Sequence, residues 1–581
     1  MGRHAGAGEY DERPWLDWYP RGVPHEIKVR DIPVTALLDE AVRAFPRRIA
    51  IAYLGATLTY EELDRQVGHF AAALAHLGVG KGDRVAIILP NCPQNVIAFF
   101  AVLRLGAVVV QHNPLYTETE LRHQLSDSGA VVALVHDAAY ERLARIRDET
   151  ELRQVITTSL VDYLPRLRKM LLGLPLHRAR ELRERLHTSI PKGAPVQDFL
   201  ALLRTEHESA PQVTIHPDEN LALLQYTGGT TGAPKGAMLS HRNLVANAYQ
   251  TRAWDPGMVE GRETTLAVLP LFHVYGLTLC LTTTILAGGT LVLLPTFDVD
   301  LVLDAVKRWK PTVFPGVPPM YDKLLDSDRV AKVDMRSIRT CVSGAMRLPP
   351  RTVDRFQKLT GGRLVEGYGL TESAPVAVAN PLNANARAGT VGIPVPGTEA
   401  RVIDETAKDP ELTVPIGTAG ELALRGPQVF QGYWKHAGET AAMVHDGWLL
   451  TGDIAVMSPD GFVTIIDRKR DIVMVSGFSV FPSEVEDALR NHPDIAEIVV
   501  LGVPDPFRGE VVKACIVPRD DASLSPEDVR TYGHEVLVPY KVPRLVELRT
   551  ELPRNLLGKP LRRILREEHM VAQVGGYDSH I

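Results

Sequence analysis

Short apolar runs alternate with helix-like segments along the first two-thirds of this chain. The run at 85–89 (Val-Ala-Ile-Ile-Leu) is bounded by turn residues and flanked by helical patterns at 59–80 and 93–106. Thr59 and Glu62 have the spacing of a capping box. Strand runs separated by helices are typical of mostly parallel sheets with helices on both faces, so the predicted fold class is α/β. Further strand runs occur at 107–111, 130–136, 222–226, 265–269, 290–294, 312–314 and 339–342.

The pattern changes to a strand-rich one after about residue 395. A charged run at 467–471 (Asp-Arg-Lys-Arg-Asp) follows, and we expect it to be solvated. Beyond it, one helical pattern and two strand runs indicate a small α+β domain. We therefore predict an N-terminal extension at 1–32, a large domain with a β-rich subdomain at 33–468, and a small domain at 469–581.

Charge and cysteine content exclude several classes of protein. The net charge of the 581 residues is -6, which does not favour binding of the whole molecule to nucleic acid or to an anionic membrane. The four cysteines lie far apart without CxxC spacing, so neither a disulfide framework nor a zinc site is indicated. Scattered free thiols and the lack of a signal-like N-terminus predict a cytoplasmic protein.

Two segments leave a membrane alternative open. No charged residue occurs at 264–297, yet Pro270, Gly276 and the pair at 288–289 interrupt this stretch. We predict strand, loop, helix and strand there, with a membrane span as the alternative. The segment 159–187 carries seven basic and three acidic residues beside an apolar face. A solvated surface helix is favoured, and peripheral contact with the inner face of a membrane is the alternative.

A loop rich in glycine and threonine is the strongest chemical signal. Residues 226–236 read Tyr-Thr-Gly-Gly-Thr-Thr-Gly-Ala-Pro-Lys-Gly and follow an apolar run. Glycines let backbone N–H groups approach an anion, while hydroxyls and a lysine add donors and charge. The loop is not a Walker A sequence, but it predicts binding of a triphosphate. The alternative is a flexible surface turn, which would explain the glycines but not the threonines and the lysine. The predicted phosphate-binding residues are Thr227, Gly228, Gly229, Thr230, Thr231, Gly232 and Lys235.

Three further motifs are weak individually. Residues 367–372 read Gly-Tyr-Gly-Leu-Thr-Glu, where a turn would present Tyr368 for stacking on a base and Glu372 as a Mg²⁺ ligand. Asp453 follows a Thr-Gly pair and can accept both hydroxyls of a ribose. A Gly-Lys pair near the C-terminus presents Lys559 on a turn. Alone, each fits an ordinary surface loop.

Together, these motifs resemble those of the adenylate-forming superfamily, which comprises acyl-CoA synthetases, luciferases and peptide-synthetase adenylation domains. Their order, together with the segment 269–273 (Leu-Pro-Leu-Phe-His), matches the superfamily from about residue 33 to 567. Segments 15–24, 113–117 and 475–482 are most similar to bacterial long-chain fatty acid–CoA ligases. The resemblance implies ATP-dependent ligation of a medium- to long-chain fatty acid to coenzyme A through an acyl-adenylate, with release of AMP and pyrophosphate.

The resemblance also implies roles for residues in the first half-reaction. Residues 227–235 would hold the β- and γ-phosphates of ATP, and Glu372 with Thr227 would hold Mg²⁺. Lys559 would contact both the substrate carboxylate and the α-phosphate. Asp453 would bind the ribose with Arg468 nearby. The adenine and the rest of the nucleotide would lie against Gly344, Ala345, Glu366, Gly367, Tyr368, Gly369 and Thr371.

In the second half-reaction the resemblance implies that the small domain rotates about Arg470, which replaces the more usual Lys or Asp. Ser476 and Gly477 would then line the coenzyme A tunnel, and His273 would close the carboxylate side of the acyl pocket. An aromatic gate of some long-chain enzymes would fall near Leu277, so the gating of the tunnel stays open. The predicted acyl-pocket residues are His273, Val274, Gly276, Leu277, Val317 and Met320.

Two alternatives remain from different classes of function. An acyl-AMP ligase would load a carrier protein instead of coenzyme A, although no carrier motif occurs in this chain. An inactive binding protein on the same fold would be expected to lack some of the catalytic residues. All four predicted catalytic residues, Thr227, His273, Glu372 and Lys559, are present. The sequence leaves monomer and homodimer equally open.

Overall fold

The computed structural model describes residues 8–172, 177, 183, 186–227, 233–407, 409–520, 522–555 and 558–575. The chain forms two compact units. The larger unit comprises Trp15–Glu399 and Leu424–Leu449, and the smaller unit comprises Met1–Pro14, Ala400–Ala423 and Leu450–Ile581. The predicted boundary at residue 468 is therefore not a boundary between these units, since it lies within the smaller one. A hinge at Arg470 stays a prediction.

A seven-stranded sheet forms the first layer of the larger unit, counted over the described residues. Six of its strands run parallel, and the last pairs antiparallel with its neighbour. The helix Pro93–Arg104 is buried at every position from Pro93 to Leu103, and its polar residues Gln94 and Asn95 donate hydrogen bonds to the Thr158 hydroxyl and the Leu89 carbonyl. In spatial order the strands are Gln197–Asp198, Gln154–Thr158, Val132–His136, Arg84–Ile88, Val108–Gln111, Leu221–Thr227 and Lys235–Ser240.

The larger unit also contains two four-stranded sheets, whose strands carry several of the predicted site residues. Val313 joins them through parallel bridges to Thr265 and Thr340. The predicted strand at 312–314 is thus reduced to a single bridging residue, because only Val313 pairs with its neighbours. The first sheet contains Thr264–Ala267, Thr290–Leu293, Ile49–Tyr53 and Ala56–Thr59, and the second contains Thr340–Ser343, Arg363–Gly369, Val376–Ala379 and Ile393–Pro394.

Helices of the larger unit cover these sheets and begin at recognisable caps. The predicted capping box at Thr59 is present, since its hydroxyl accepts from the Glu62 backbone N–H and the Glu62 carboxylate accepts from the Thr59 N–H. The α-helices are Thr35–Ala44, Tyr60–His76, Pro93–Arg104, Glu118–Ser128, Asp137–Ile146, Arg166–Leu172, Phe199–Arg204, His241–Trp254, Val274–Gly276, Thr283–Leu286, Val299–Trp309, Pro318–Leu325, Pro350–Thr360 and Ala437–Met443. A π-helical turn, Leu277–Thr282, connects two of them.

The charge-free stretch at 264–297 folds as predicted, as a strand, a loop, a helical segment and a second strand. No helix in the described ranges is long and apolar enough to cross a membrane. In the basic segment, the helix Arg166–Leu172 exposes Leu167, Met170 and Leu171. Most of residues 173–185 lie outside the described part of the chain.

The smaller unit contains β-sheets and a few helices. One set of strands comprises Glu399–Ile403, Gly420–Arg425, Trp448–Met457 and Val463–Arg468, and the chain enters or leaves the unit within the first three. The C-terminal sheet has Phe478–Val480, Val473–Val475, Gly509–Pro518 and Ile495–Asp505 in spatial order, and Leu545–Leu548 pairs with Gly509–Pro518. The helices are Gly8–Asp11, Pro482–Leu489, Pro526–Val536 and Arg562–Gly575. This α+β arrangement agrees with the expected fold class.

The charged run at 467–471 is only partly solvated, so the prediction of a fully solvated run is wrong. Asp467 and Asp471 are buried, whereas Lys469 and Arg470 are exposed. The Asp467 carboxylate accepts hydrogen bonds from the backbone N–H groups of Arg468 and Ser483 at 2.9 and 2.7 Å. Burial is tolerated because these donors replace water around the charge.

Candidate active site

The ends of the predicted phosphate loop are fixed by a strand pair. Leu221–Thr227 pairs antiparallel with Lys235–Ser240, and Thr227 lies opposite Lys235. This register holds the first and last predicted phosphate-binding residues close together at the end of a buried sheet. Gly228, Gly229, Thr230, Thr231 and Gly232 lie outside the described residues.

Lys235 belongs to a polar cluster that also contains Glu372. The Lys235 ammonium lies 3.1 Å from a carboxylate oxygen of Glu439 and 5.8 Å from the centre of the Tyr433 ring. The Tyr433 hydroxyl donates a 2.5 Å hydrogen bond to Oε1 of Glu372, which is buried. One tyrosine therefore connects the predicted phosphate-binding lysine to the predicted Mg²⁺ ligand. The adjacent cation lowers the pKa of Glu439.

Residues 367–369 do not form the predicted turn. They complete the strand Arg363–Gly369, which pairs antiparallel with Val376–Ala379. Gly369 is required for this pairing, because a Cβ there would stand 1.7 Å from the Pro375 carbonyl oxygen. The glycines thus permit close strand contact, and Tyr368 projects from a strand that ends just before Thr371 and Glu372.

Glu366, Gly344 and Ala345 lie near one another at the ends of adjacent parallel strands, with Glu366 opposite Ser343. Oε2 of Glu366 accepts from the Leu348 backbone N–H at 3.0 Å. Burial raises the pKa of Glu366 to about 7. Gly344 packs against the Tyr275 ring, since an added Cβ would lie 3.0 Å from it.

His273 is positioned as the N-cap of the helical segment that starts at Val274. Its Nδ1 accepts from the Tyr275 backbone N–H at 3.2 Å, which places the ring proton on Nε2. Burial lowers the pKa of His273 to about 4, so the ring is neutral at physiological pH. The Nε2–H group can therefore act as a hydrogen-bond donor, and the bond from the Tyr275 N–H to Nδ1 fixes its direction.

Five of the six predicted acyl-pocket residues are buried, His273 is partly buried, and none of the six lines the cavity described below. Val274, Leu277, Val317 and Met320 are packed in the core. Gly276 lies against backbone, because a Cβ there would stand 2.2 Å from the Pro270 carbonyl oxygen. Their assignment to the acyl pocket stays a prediction. A cavity of about 40 Å³ lies along the same elements and is lined instead by residues such as Leu279, Thr283, Ala287, Val313, Pro315 and Val342.

In the smaller unit, Asp453 and Arg468 form an ion pair in which the carboxylate is buried and the guanidinium is half-buried. They face each other on the antiparallel strands Trp448–Met457 and Val463–Arg468. Arg468 Nε lies 3.0 Å from Asp453 Oδ1, and Asp453 is 2% exposed. Within the strand, the Thr451 hydroxyl accepts from the Asp453 N–H at 3.2 Å. Arg468 therefore lies beside Asp453, and the nucleotide-binding roles of the two residues stay predictions.

Lys559 lies within electrostatic range of this pair. Its pKa is lowered to about 8 by burial and by the positive charge of Arg468, against the opposing effect of Asp453. The preceding Gly558 has φ +80°, and the Lys559 N–H is held by the Asn555 side chain at 2.9 Å. The three predicted nucleotide-binding residues of the smaller unit thus form one cluster.

The predicted coenzyme A residues form a turn between two short strands. Ser476 and Gly477 both have positive φ, +51° and +86°, and connect Val473–Val475 to Phe478–Val480. A Cβ on Gly477 would meet no described atom within 4 Å. The turn is fixed by a hydrogen bond from the Ser476 N–H to the Arg508 carbonyl at 2.8 Å.

The predicted residues therefore form two groups, Lys235 with Glu372 in the larger unit and Asp453, Arg468 and Lys559 in the smaller one. Sequence reasoning missed Tyr433 and Glu439. Neither belongs to a recognisable motif, and Tyr433 is 61 residues from its partner Glu372.

Residues 38–434 match a family described as AMP-binding enzyme, and residues 484–559 match one described as AMP-binding enzyme C-terminal domain. A long-chain-fatty-acid–CoA ligase of Bacillus subtilis is 41% identical over 558 residues, which cover 96% of this chain and 98% of the relative. One of Escherichia coli O6:H1 is 38% identical over 564 residues, with 96% and 98% coverage. Among solved structures, ATP-bound MatB of Rhodopseudomonas palustris has a TM-score of 0.79 at 28% identity, over 93% of this chain and 99% of that one.

Proposed function

Because this chain belongs to the AMP-binding enzyme family, we propose that it is an acid–thiol ligase that joins a fatty carboxylic acid to coenzyme A. The reaction passes through an acyl-adenylate and releases AMP and pyrophosphate. Two relatives above 35% identity over nearly the whole chain are named for this activity. The single structural observation that supports it best is the cluster of Lys559, Asp453 and Arg468.

The first half-reaction needs cations more than it needs a base. The substrate carboxylate is already ionised at neutral pH, so its oxygen can attack the α-phosphorus while the bond to pyrophosphate breaks. Two anions must meet, and positive charge at the reacting atoms lowers the barrier. Lys559 would supply that charge at the α-phosphate, and Lys235 would supply it at the β- and γ-phosphates. Asp453 would accept hydrogen bonds from the ribose.

The residues around Glu372 fit a magnesium ion. Mg²⁺ typically takes one or two carboxylates and completes its shell with phosphate oxygens and water. Glu372 offers one carboxylate, oriented by the Tyr433 hydroxyl, and Thr227 offers a hydroxyl opposite Lys235 at the end of its strand. When bound, the ion would neutralise charge on the leaving pyrophosphate.

In the second half-reaction the thiol sulfur of coenzyme A attacks the acyl carbon, and AMP leaves. We propose that the small C-terminal domain turns about Arg470, withdraws Lys559 and brings the Ser476–Gly477 turn to the tunnel. The open space around Gly477 supports this role, since pantetheine must pass close to the backbone. Neutral His273 would border the carboxylate side of the acyl site.

A coupled assay tests this function. The protein is incubated with ATP, Mg²⁺, palmitate and coenzyme A, and AMP, pyrophosphate and palmitoyl-CoA are quantified together. We expect equimolar AMP and palmitoyl-CoA. AMP without acyl-CoA would favour an acyl-AMP ligase that loads a carrier protein, and no nucleotide turnover with any fatty acid would favour an inactive binding protein.

We also propose a cytoplasmic location. All four cysteines are buried free thiols, which suits a reducing compartment. The exposed apolar residues of the helix Arg166–Leu172 stand beside Arg166 and Lys169 and support peripheral contact with an anionic membrane as the alternative. Cosedimentation with anionic and neutral vesicles distinguishes the two, and size-exclusion chromatography with light scattering distinguishes monomer from homodimer.

A further inference from the structure

A cavity of about 40 Å³ lies in the larger unit, beside the helical segment that begins at Val274. Leu279, Thr283 and Ala287 line it at intervals of four residues, so they project from one face of this segment. Apolar residues form most of the opposite wall, including Val313, Val342, Val376 and Val395. One water molecule needs about 10–15 Å³ of such cavity volume. This cavity therefore has room for about three waters or a few methylene groups.

One hydroxyl in this apolar lining has no hydrogen-bond partner among the described residues. Thr283 is 2% exposed, and its Oγ1 is buried and unpaired. The other polar side chains of the lining do have partners. Thr251 donates to the Asn247 carbonyl, Trp254 to the Asn380 carbonyl, Thr284 to Thr265, and Thr340 to Asp255, while Asp255 and Glu263 accept from Arg339.

Thr283 lies directly after a π-helical turn. A helical threonine commonly donates to the carbonyl four residues earlier, as Thr282 does to Thr278 at 3.2 Å. Thr283 follows the π turn Leu277–Thr282, and its backbone N–H donates to the Thr278 carbonyl five residues earlier. Its hydroxyl does not make the bond that the Thr282 hydroxyl makes. A buried hydroxyl without a partner is unfavourable, and π turns occur frequently at functional sites.

The chain direction relates the cavity to the predicted acyl site. Thr340 and Val342 line the cavity, and their strand ends at Ser343, directly before Gly344 of the predicted nucleotide site. Val313 and Pro315 also line it, and that segment continues to Val317. Pro315 is only two residues from Val317, which is about 7 Å of extended chain, and Leu279 is two residues from Leu277. The cavity therefore adjoins the predicted acyl site.

We propose that this cavity receives the distal end of the acyl chain, and that the Thr283 hydroxyl hydrogen-bonds a polar substituent there, so that the enzyme accepts fatty acids hydroxylated near the far end. This inference rests on the proposed function and specifies its substrate class. The apolar walls hold the methylene groups, and the single unpaired hydroxyl provides the contact that distinguishes a hydroxylated chain. Thr283 acts on substrate selection and not on the reacting atoms.

The test compares even-numbered saturated acids from six to eighteen carbons with their terminally hydroxylated counterparts. For each pair, kcat/KM for acyl-CoA formation gives a ratio of hydroxylated to parent acid. We expect this ratio to peak at one chain length in the wild-type protein. Thr283→Val keeps the shape and removes the hydroxyl, so it should lower the peak about five- to tenfold, as expected for one hydrogen bond. It should leave the parent acids unchanged or slightly improved.

Two matched control variants accompany Thr283→Val. Thr283→Ser should keep the peak, and Thr282→Val should not affect it, because the Thr282 hydroxyl is paired within the helix and does not line the cavity. A ratio that is flat with chain length, or a peak that survives in Thr283→Val, would overturn the role of Thr283.

A second variant tests the cavity itself. Ala287→Leu fills part of the space and should lower the longest acid accepted by a few carbons. An unchanged chain-length limit in folded Ala287→Leu would overturn the placement of the acyl chain in this cavity. Failure of the proposed function is distinguishable, because then no acid of the panel would yield acyl-CoA.

Discussion

The Tyr433 hydroxyl lies 2.5 Å from Oε1 of Glu372 and fixes the orientation of this buried carboxylate. Tyr433 also places its ring beneath the Lys235 ammonium. A single side chain therefore contacts both a cation and an anion that we propose act on the same triphosphate. Partners of this kind commonly affect metal affinity strongly although they do not touch the metal.

Tyr433→Phe should raise the Mg²⁺ concentration for half-maximal adenylation about tenfold, because the carboxylate loses its orienting donor. The measurement is ATP–pyrophosphate exchange as a function of free Mg²⁺. Tyr60→Phe is the control, since it removes another buried hydroxyl bond, to the Gly289 carbonyl at 2.7 Å, away from Glu372. An unchanged Mg²⁺ dependence in Tyr433→Phe would contradict the role of Glu372 as a metal ligand.

Lys559→Ala should abolish adenylate formation and leave thioester formation from preformed acyl-AMP largely intact. The physical reason is that the ammonium stabilises charge only while the α-phosphate is attacked. Single-turnover assays of the two half-reactions provide the measurement. Lys541→Ala is a suitable control, because it removes another lysine of the same unit that pairs with Glu484 instead. Equal loss in both half-reactions would contradict the exchange of Lys559 between them.

The adenylation rate should fall as the pH rises through about 8. Burial and the nearby Arg468 lower the pKa of Lys559 to about 8, so the free enzyme loses the cationic form above that pH. Because kcat/KM reports groups of the free enzyme, it should show this decline. Lys559→Arg is less active but stays protonated, so its profile should remain flat above pH 8. An identical alkaline limb in this variant would assign the decline to another group.

Gly477→Leu should block thioester formation while adenylate formation continues. The side chain would enter the open space where pantetheine is proposed to pass. Leucine at this position is also strained, because Gly477 has φ +86°, so the loss of stability from this strain must be separated from the block of the tunnel. Gly78→Leu is the matched control, with φ +85° and equally open surroundings in the larger unit. Both variants should lose similar thermal stability, and only Gly477→Leu should lose the second step.

Glu366→Gln should make stability less sensitive to pH between about 5 and 8. Burial raises the pKa of Glu366 to about 7 from an unfolded value near 4.5, so the folded state binds the extra proton in this range. Wild-type stability therefore falls as pH rises, by up to about 3 kcal/mol for this group. Chemical denaturation at pH 5, 6.5 and 8 measures it. Parallel pH profiles of the two proteins would show that Glu366 carries no such linkage.

Local patterns predicted the strands and helix caps well, because hydrophobic periodicity and capping chemistry act over a few residues. The strand at 85–89 and the capping box at Thr59 both occur within one residue of the expected position. The alternation also predicted the parallel sheet, since its βαβ units follow from sequence order.

Predictions that depended on distant contacts were less accurate. The Gly-Tyr-Gly segment looks like a turn, but Gly369 pairs closely with the chain at Pro375 and so continues a strand. Asp467 looks solvated, but donors from Ser483 compensate its burial. The partnership of Glu372 with Tyr433 and the cavity beside Thr283 arise from segments far apart in sequence, where periodicity carries no information.

The polypeptide crosses between its two units four times, at residues 14–15, 399–400, 423–424 and 449–450. Neither unit is consequently a single continuous stretch of chain. One proteolytic nick would not liberate either of them, because the remaining crossings still tether the pieces. A fragment beginning at residue 469 would lack the strands that carry Asp453 and Arg468, so separate expression of that fragment would leave Lys559 without these two of its electrostatic neighbours.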